Sequence, residues 1–151
     1  MKRPPRAAPP APDRLDFQSD ALGYKLRLAQ VRAFDLFFKA MEPLDLSPAR
    51  VTALSIIAMQ PGINQVTLAK ALDVAGPSAL KLVDALEDAG WIRRMDVEGD
   101  RRRYSLGLTE RGLAQLEMLR DKLDAYEARL SSGLTAAERA QLMDLLDRVA
   151  R

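Results

Sequence analysis

A mainly α-helical fold carrying one small β-hairpin is predicted for this 151-residue chain, on three observations. Apolar residues recur at three- and four-residue steps through most of its length, the period of a buried helix face. Short Ser, Thr, Asn, Gly and Pro punctuation divides those stretches where helices start and stop. One segment breaks the helical period. In Arg103-Tyr104-Ser105-Leu106-Gly107-Leu108, the residues Tyr104, Leu106 and Leu108 share a face at the two-residue step of a strand.

Composition bounds the function before any motif does. At 48% hydrophobic residues the chain suits one compact domain or one subunit of an obligate oligomer. Net charge is +2 and the pI is near 9.1, so any strongly basic patch must come from the placement of charges. There is no Cys and no His. Disulfides, thiol redox sensing, Cys nucleophiles, His general bases and the usual zinc sets are thereby removed. The carboxylates are spread along helix surfaces, with no cluster for a metal and no nucleophile–base set. No catalytic residue, metal site or cofactor is therefore assigned, and the chain is not expected to be an enzyme. No apolar run approaches the roughly 20 residues needed to span a bilayer. The start, MKRPPRAAPPAP, is basic but lacks the apolar core of a signal peptide. A cytoplasmic protein with no membrane partner is expected.

Residues 1–14 combine Pro4, Pro5, Pro9, Pro10 and Pro12 with Lys2, Arg3, Arg6 and Arg14. With few backbone donors and little to bury, this tail is expected to be disordered, either a solvated tail or a basic arm tracking phosphates. A helix follows from about Asp20 to Glu42. Leu22, Leu26, Ala29, Ala33, Leu36 and Phe37 form its stripe, and Tyr24, Leu28, Val31, Phe34, Phe38 and Met41 widen it beyond one side. Such a helix packs against more than one layer: its own domain, and a partner subunit or a ligand. Pro43 ends it.

Ser47-Pro48 is a helix start, Ser as N-cap and Pro at the first helical position. That helix runs through Val51, Leu54, Ile57 and Ala58 and stops before Pro61-Gly62. Asn64 caps a short helix that buries Leu68, Ala69 and Leu72. Gly76-Pro77 opens the next, with Ala79, Leu82, Val83 and Leu86 inward and Gly90 at the C-terminal cap. Pro77, Lys81, Asp84 and Asp88 then point outward. Asp84 and Asp88 would be repelled by phosphate, whereas Ser78, Lys81 and the positive end of the helix dipole occupy the first two turns. The N-terminal half is therefore the end suited to reading DNA.

Trp91-Ile92-Arg93-Arg94-Met95 and residues 103–108 flank a charged turn in which Gly99 supplies the permissive backbone. Arg93, Arg94, Arg101, Arg102 and Arg103 outnumber Asp96, Glu98 and Asp100. An arginine-tipped ribbon fits a narrow minor groove, although a solvated, salt-paired hairpin has the same composition. Helix, turn, helix and basic hairpin in that order make residues 45–108 a winged helix-turn-helix. Thr109 caps a helix from 110 to about 131, striped by Leu113, Leu116, Leu119, Leu123, Tyr126 and Leu130. Thr135-Ala136-Ala137-Glu138 is a capping box opening a last helix with Leu142, Leu145, Leu146 and Val149. One small domain cannot readily cover these stripes. Residues 20–42 and 109–151 are therefore expected to be dimerisation helices flanking the DNA-binding region.

From about residue 20 to 150 the chain resembles the MarR (multiple-antibiotic-resistance regulator) family of dimeric winged-helix transcription factors. Asp100 to Gly112 matches the family's wing pattern, D-x-R followed by an alternating strand and then L-T-x-x-G. Leu68 to Leu72 and Leu82 to Ile92 supply supporting segments in the right order. The resemblance implies that Arg102 lies at the wing tip in the minor groove, oriented by Asp100, and that residues 76–89 are the recognition helix. The sequence departs from the family at Ala75-Gly76-Pro77-Ser78-Ala79-Leu80, where Ser, Thr and Arg are usual. Few side chains there can hydrogen-bond base edges. Ser78 and Lys81 are left to share the groove contacts, Leu80 serving either apolar contact or packing. The full DNA-contacting set is then Ser78, Lys81, Arg94, Asp100, Arg101, Arg102 and Arg103.

Gln60-Pro61-Gly62-Ile63-Asn64-Gln65 is similar to a phrase in family members that sense aromatic acids or their coenzyme A thioesters. The resemblance implies an effector site lined by Tyr24, Arg27, Leu28, Val31 and Phe34, with Arg27 pairing a carboxylate or phosphate; the same residues also suit core and surface. The expected protein is a homodimeric, sequence-specific DNA-binding regulator, a repressor relieved by a small aromatic ligand. Its operator would be near-palindromic, with half-site centres roughly 34–36 Å apart. The alternative is a winged helix used for protein–protein contact without DNA.

Overall fold

The computed structural model describes residues 21–44, 46–97 and 100–151, the side chains of 100–103 excepted. The expectation for the tail, residues 1–14, lies outside the described residues. The elements follow in the order α1 (Leu22–Met41), α2 (Pro48–Met59), α3 (Gln65–Ala71), α4 (Gly76–Asp88), β1 (Ile92–Val97), β2 (Asp100–Leu108), α5 (Glu110–Leu130) and α6 (Ala136–Val149). Contacts divide the chain into a unit ending at Arg32 and a second unit from Ala33 to Arg151. The described part of the first is the start of α1, where Leu22, Leu28 and Val31 are exposed.

Helix starts in the second unit are local chemistry. Ser47 Oγ accepts from the Arg50 amide at 3.3 Å, and Asn64 Oδ1 from the Thr67 amide at 2.9 Å. Each satisfies a donor that the first helical turn leaves without a partner. Gly90, at φ +73°, ends the α4 segment in the left-handed region that a side chain would disfavour. At the far end Thr135 and Glu138 form both halves of a capping box.

Two cores result. The larger joins Ala53, Leu54 and Ile57 of α2 to Ile63, Leu68 of α3, Val83 and Leu86 of α4, Ile92 of β1 and Leu106 of β2. The smaller joins Phe37 and Met41 of α1 to Leu46, Val51 of α2 and Leu119 of α5. Trp91 packs against both, so the residue after the Gly90 cap ties them together. Each large apolar side chain so buried contributes about 1.5–3 kcal/mol against exposure. The Phe37 ring meets Tyr126 edge-on, centroids 5.5 Å apart. Burial pushes the Tyr126 phenol up from its ordinary pKa, with the nearby Glu127 charge adding to the shift.

β1 and β2 pair antiparallel from Ile92–Leu108 to Asp96–Tyr104, with an irregularity between Asp96 and Val97. The inner end of β2 also bonds to the loop after α2: the Gly62 amide donates to Leu106 O at 3.1 Å, and the Leu106 amide donates to Ile63 O at 2.8 Å. The hairpin base is thus fixed to the core. The outer helices contrast with this. On α5 only Gly112 and Leu119 are buried, and α6 buries nothing, leaving Leu142, Met143, Leu145, Leu146 and Val149 exposed.

Candidate nucleic-acid interface

α3, the turn at Leu72–Ala75 and α4 form the helix-turn-helix. Within the turn Asp73 takes φ +51°, and the Val74 amide donates back to Ala69 O at 3.0 Å. That reversal sets α4 across α3. The inward face of α4 is the expected one, with Ala79, Val83 and Leu86 buried and Leu82 half-buried. Ser78 and Lys81 are exposed in the first two turns, Lys81 opposite that face and Ser78 at its border. Both line an open cleft of about 500 Å³ with Phe38, Ser47, Ala49, Arg50, Val74 and Leu82. Arg50 therefore stands beside the two residues expected to touch DNA, and no local sequence signal announces it.

Arg94 belongs to the wing's surplus of cations by sequence, and the structure pairs it with α4. Its Nη2 donates to Asp84 Oδ1 at 2.5 Å, and Nη1 pairs with Glu87 Oε2. Its backbone amide also donates to Glu87 Oε1, at 3.1 Å. The guanidinium carbon lies 5.1 Å from the centre of the Tyr104 ring, a cation–π distance. Only 24% of the Arg94 side chain is exposed. Burial alone would lower its pKa, but hydrogen bonds to Asp84 and Tyr104 and the charge of Glu87 outweigh this and hold it raised. Asp84, expected to repel phosphate from the outer face of α4, shares this guanidinium with Glu87, so one of the two negative charges is offset.

Tyr104 continues the chain of contacts, its hydroxyl donating to Gln65 Oε1 of α3 at 2.5 Å. Arg93, by contrast, is exposed. The backbone of Asp100, Arg101, Arg102 and Arg103 lies in β2, but the side-chain expectations for these four fall outside the described residues, as does the turn role of Gly99.

The segment closing the wing is built around Thr109. Its Oγ1 donates to Gly90 O at 2.7 Å and accepts from the Gly112 amide at 3.0 Å, while its own amide donates to Trp91 O at 3.0 Å. One threonine thus caps α5 and binds it to the end of α4. In the expected effector set, Tyr24, Arg27, Leu28 and Val31 lie on α1 before Ala33. All but Tyr24 are exposed, and Phe34, in the second unit, is exposed as well.

A model of the MarR family matches residues 46–104, the span from the start of α2 into β2. A candidate transcriptional regulatory protein for the hcr operon of Thauera aromatica is 36% identical over 131 residues, covering 86% of this chain and 79% of that protein. The chain belongs to the MarR family. The MarR-family repressor CouR, bound to a 23-mer DNA duplex, superposes with a TM-score of 0.85 at 32% identity, over 93% of this chain and all of that one (100%). The same repressor bound to p-coumaroyl-CoA gives 0.82 at 30% identity, over 93% and 99% of the two chains. A mutant MarR from E. coli complexed with operator DNA gives 0.80 at 28% identity, over 86% and 94%. This MarR-family transcriptional regulator therefore has the winged-helix fold: six helices among the described residues and a two-stranded antiparallel wing. Among the described residues no helix is long and apolar enough to cross a membrane, and no group of three or more acidic side chains is placed to hold a metal ion.

Proposed function

We propose that this regulator is a homodimeric repressor that binds a near-palindromic DNA operator and is released by a small aromatic acid or aromatic acyl-coenzyme A. The observation that carries the DNA reading is the exposure of Ser78 and Lys81 at the N-terminal end of α4, beside a hairpin fixed to the same core. In this reading α4 enters the major groove. Asp100, Arg101, Arg102 and Arg103 bring the wing to the minor groove, and Arg94 acts from behind them.

Few base-reading groups face outward on α4, so discrimination leans on DNA shape and on the wing. Residues 45–108 are then the DNA-binding region, with 20–42 and 109–151 as dimerisation helices. The uncovered apolar residues of α1, α5 and α6 support this, since exposing them to water in a lone subunit is unfavourable. The effector reading draws on CouR, which binds p-coumaroyl-CoA. Tyr24, Arg27, Leu28, Val31 and Phe34 would line its site, Arg27 meeting the anionic group. The ligand then favours a spacing of the two reading heads that does not fit DNA. No enzymatic step is needed, and the protein works where its DNA is, in the cytoplasm.

Titration of duplex DNA from the protein's own promoter region at several salt concentrations tests the reading. Affinity should fall steeply as salt rises, because phosphate contacts release counterions. No binding even at low salt refutes it. Sedimentation of the free protein should give the dimer mass, and a stable monomer refutes the assembly.

A further inference from the structure

The contacts of Arg94 raise a question the DNA reading leaves open, which is what holds the outer part of the wing. The inner end of β2 is pinned by the Gly62 and Ile63 backbone bonds to Leu106. Beyond that point a two-stranded ribbon is marginal by itself. Arg94 sits at the pinned end, opposite Leu106, and Tyr104 lies two residues farther out, opposite Asp96. From there Arg94 reaches Asp84 and Glu87 on α4, and Tyr104 reaches Gln65 on α3. The Arg94 guanidinium over the Tyr104 ring joins the two contacts.

We propose that Arg94 is a positioning residue that locks the wing to the recognition helix, so that helix and wing meet the duplex as one rigid head. The guanidinium is suited to this because its planar fork reaches two carboxylates at once while its face stays on a ring, which a lysine ammonium cannot do. Asp84 and Glu87 are three residues apart, one helical turn on a single face, matching that fork. The pairing also offsets one of two negative charges beside the reading surface. Of the charged residues Lys81, Asp84, Glu87 and Asp88 along α4, Asp84 and Glu87 are the ones Arg94 engages.

The first arm of the test needs no DNA. Amide hydrogen exchange of the full chain is compared for the unmodified protein and Arg94→Met, which keeps length and apolar stem. Exchange in residues 93–97 and 104 should quicken about tenfold or more, while the cores of α2 and α5 keep their protection. Wing exchange that is unchanged, or exchange that quickens everywhere alike, overturns the lock. If Arg94→Met does not fold, the pair Asp84→Ala with Glu87→Ala removes the same contacts from the helix side, with the same expected pattern.

The second arm rests on the DNA-binding reading and is a double-mutant cycle on duplex affinity with Arg102→Ala. Each single substitution should weaken binding about tenfold, and the double variant should be less than about threefold weaker than either. Penalties that simply multiply mean that the wing docks without Arg94, and overturn the lock. Should the unmodified protein bind no duplex while the exchange pattern appears, the DNA reading fails and the lock stands.

Discussion

A Cβ on Gly112 would lie 1.8 Å from the carbonyl oxygen of Trp91, well inside any tolerable contact. The first turn of α5 therefore runs directly against the backbone that leaves α4, and only glycine lets it. The obstacle is backbone on both sides, so it cannot be relieved by a side-chain rotation. Gly112→Ala should push α5 away from the Gly90–Trp91 corner and open the junction between the two cores. Over-packing of this kind costs about 1–3 kcal/mol, and more when backbone must move. Thermal unfolding measures the loss. Trp91 is the sole tryptophan, so a shift of its emission in the folded state should accompany it. Gly133→Ala, where a Cβ meets nothing within 4 Å, is the control and should leave both unchanged.

Thr109 makes the same corner polar. Its hydroxyl holds Gly90 O and the Gly112 amide at once, so Thr109→Ala removes the cap and leaves a carbonyl without its donor. A destabilisation of about 1–2 kcal/mol is expected, and Thr109→Ser should restore most of it because serine keeps both bonds. Chemical denaturation of the three proteins separates a lost hydroxyl from a lost methyl. If serine is as damaging as alanine, packing of the methyl is what matters.

Glu138 titrates below its ordinary range, because the Thr135 amide and hydroxyl both donate to its carboxylate. A folded-state pKa that is depressed favours the helix above the carboxyl's unfolded value. That contribution is lost as pH falls through the folded value. α6 should thus fray at its N-terminus in acid, and only there. Carbon-13 detection of the Glu138 carboxyl during an NMR pH titration should show a midpoint below the ordinary glutamate value. Glu138→Gln should remove the pH dependence of the Thr135 and Glu138 amide shifts that the capping box produces over the same window. A Glu138 midpoint at the ordinary value refutes the assignment.

These positions show which parts of the molecule are legible in sequence. Helix starts are, because Ser47, Asn64, Thr109 and Thr135 each bind an amide three residues on, and nothing distant enters that chemistry. The inward face of α4 is legible for the same reason, since helical geometry alone brings Ala79, Val83 and Leu86 together. The fate of Arg94 is not. Its partners lie 7 and 10 residues back on another element. Choosing them over solvent depends on how the Gly90 corner folds the strand onto the helix. Composition shows a surplus of cations on the ribbon, but only the pairing shows that one of them is engaged in the protein. The need for glycine at position 112 is likewise a property of two segments meeting, although the L-T-x-x-G pattern marks where they meet.

The apolar residues of α6 separate assembly from folding. Leu123 and Tyr126 of α5 pack on the smaller core, so a charge at either position confounds the two. Leu142 and Leu146 are exposed in the single chain, at 43% and 37%. Leu142→Asp together with Leu146→Asp should dissociate the proposed dimer while the winged-helix core keeps its near-ultraviolet circular dichroism around Trp91. Sedimentation equilibrium reads the mass. A double variant that stays dimeric assigns the interface to other faces.

Lys81 offers the sharpest test of which end of α4 meets DNA. It is exposed in the second turn, whereas the acidic residues Asp84 and Glu87 that follow are engaged by Arg94. If Lys81 neutralises one phosphate, Lys81→Ala should lower the slope of log affinity against log salt by about 1 and weaken binding to all duplexes alike. If it reads a base edge, the slope should hardly change, while one position of the operator loses its preference, at about 1–3 kcal/mol. A duplex titration at four salt concentrations, repeated on operator variants, distinguishes these outcomes. An unchanged slope together with unchanged sequence preference would move the DNA-facing surface off the N-terminal half of α4.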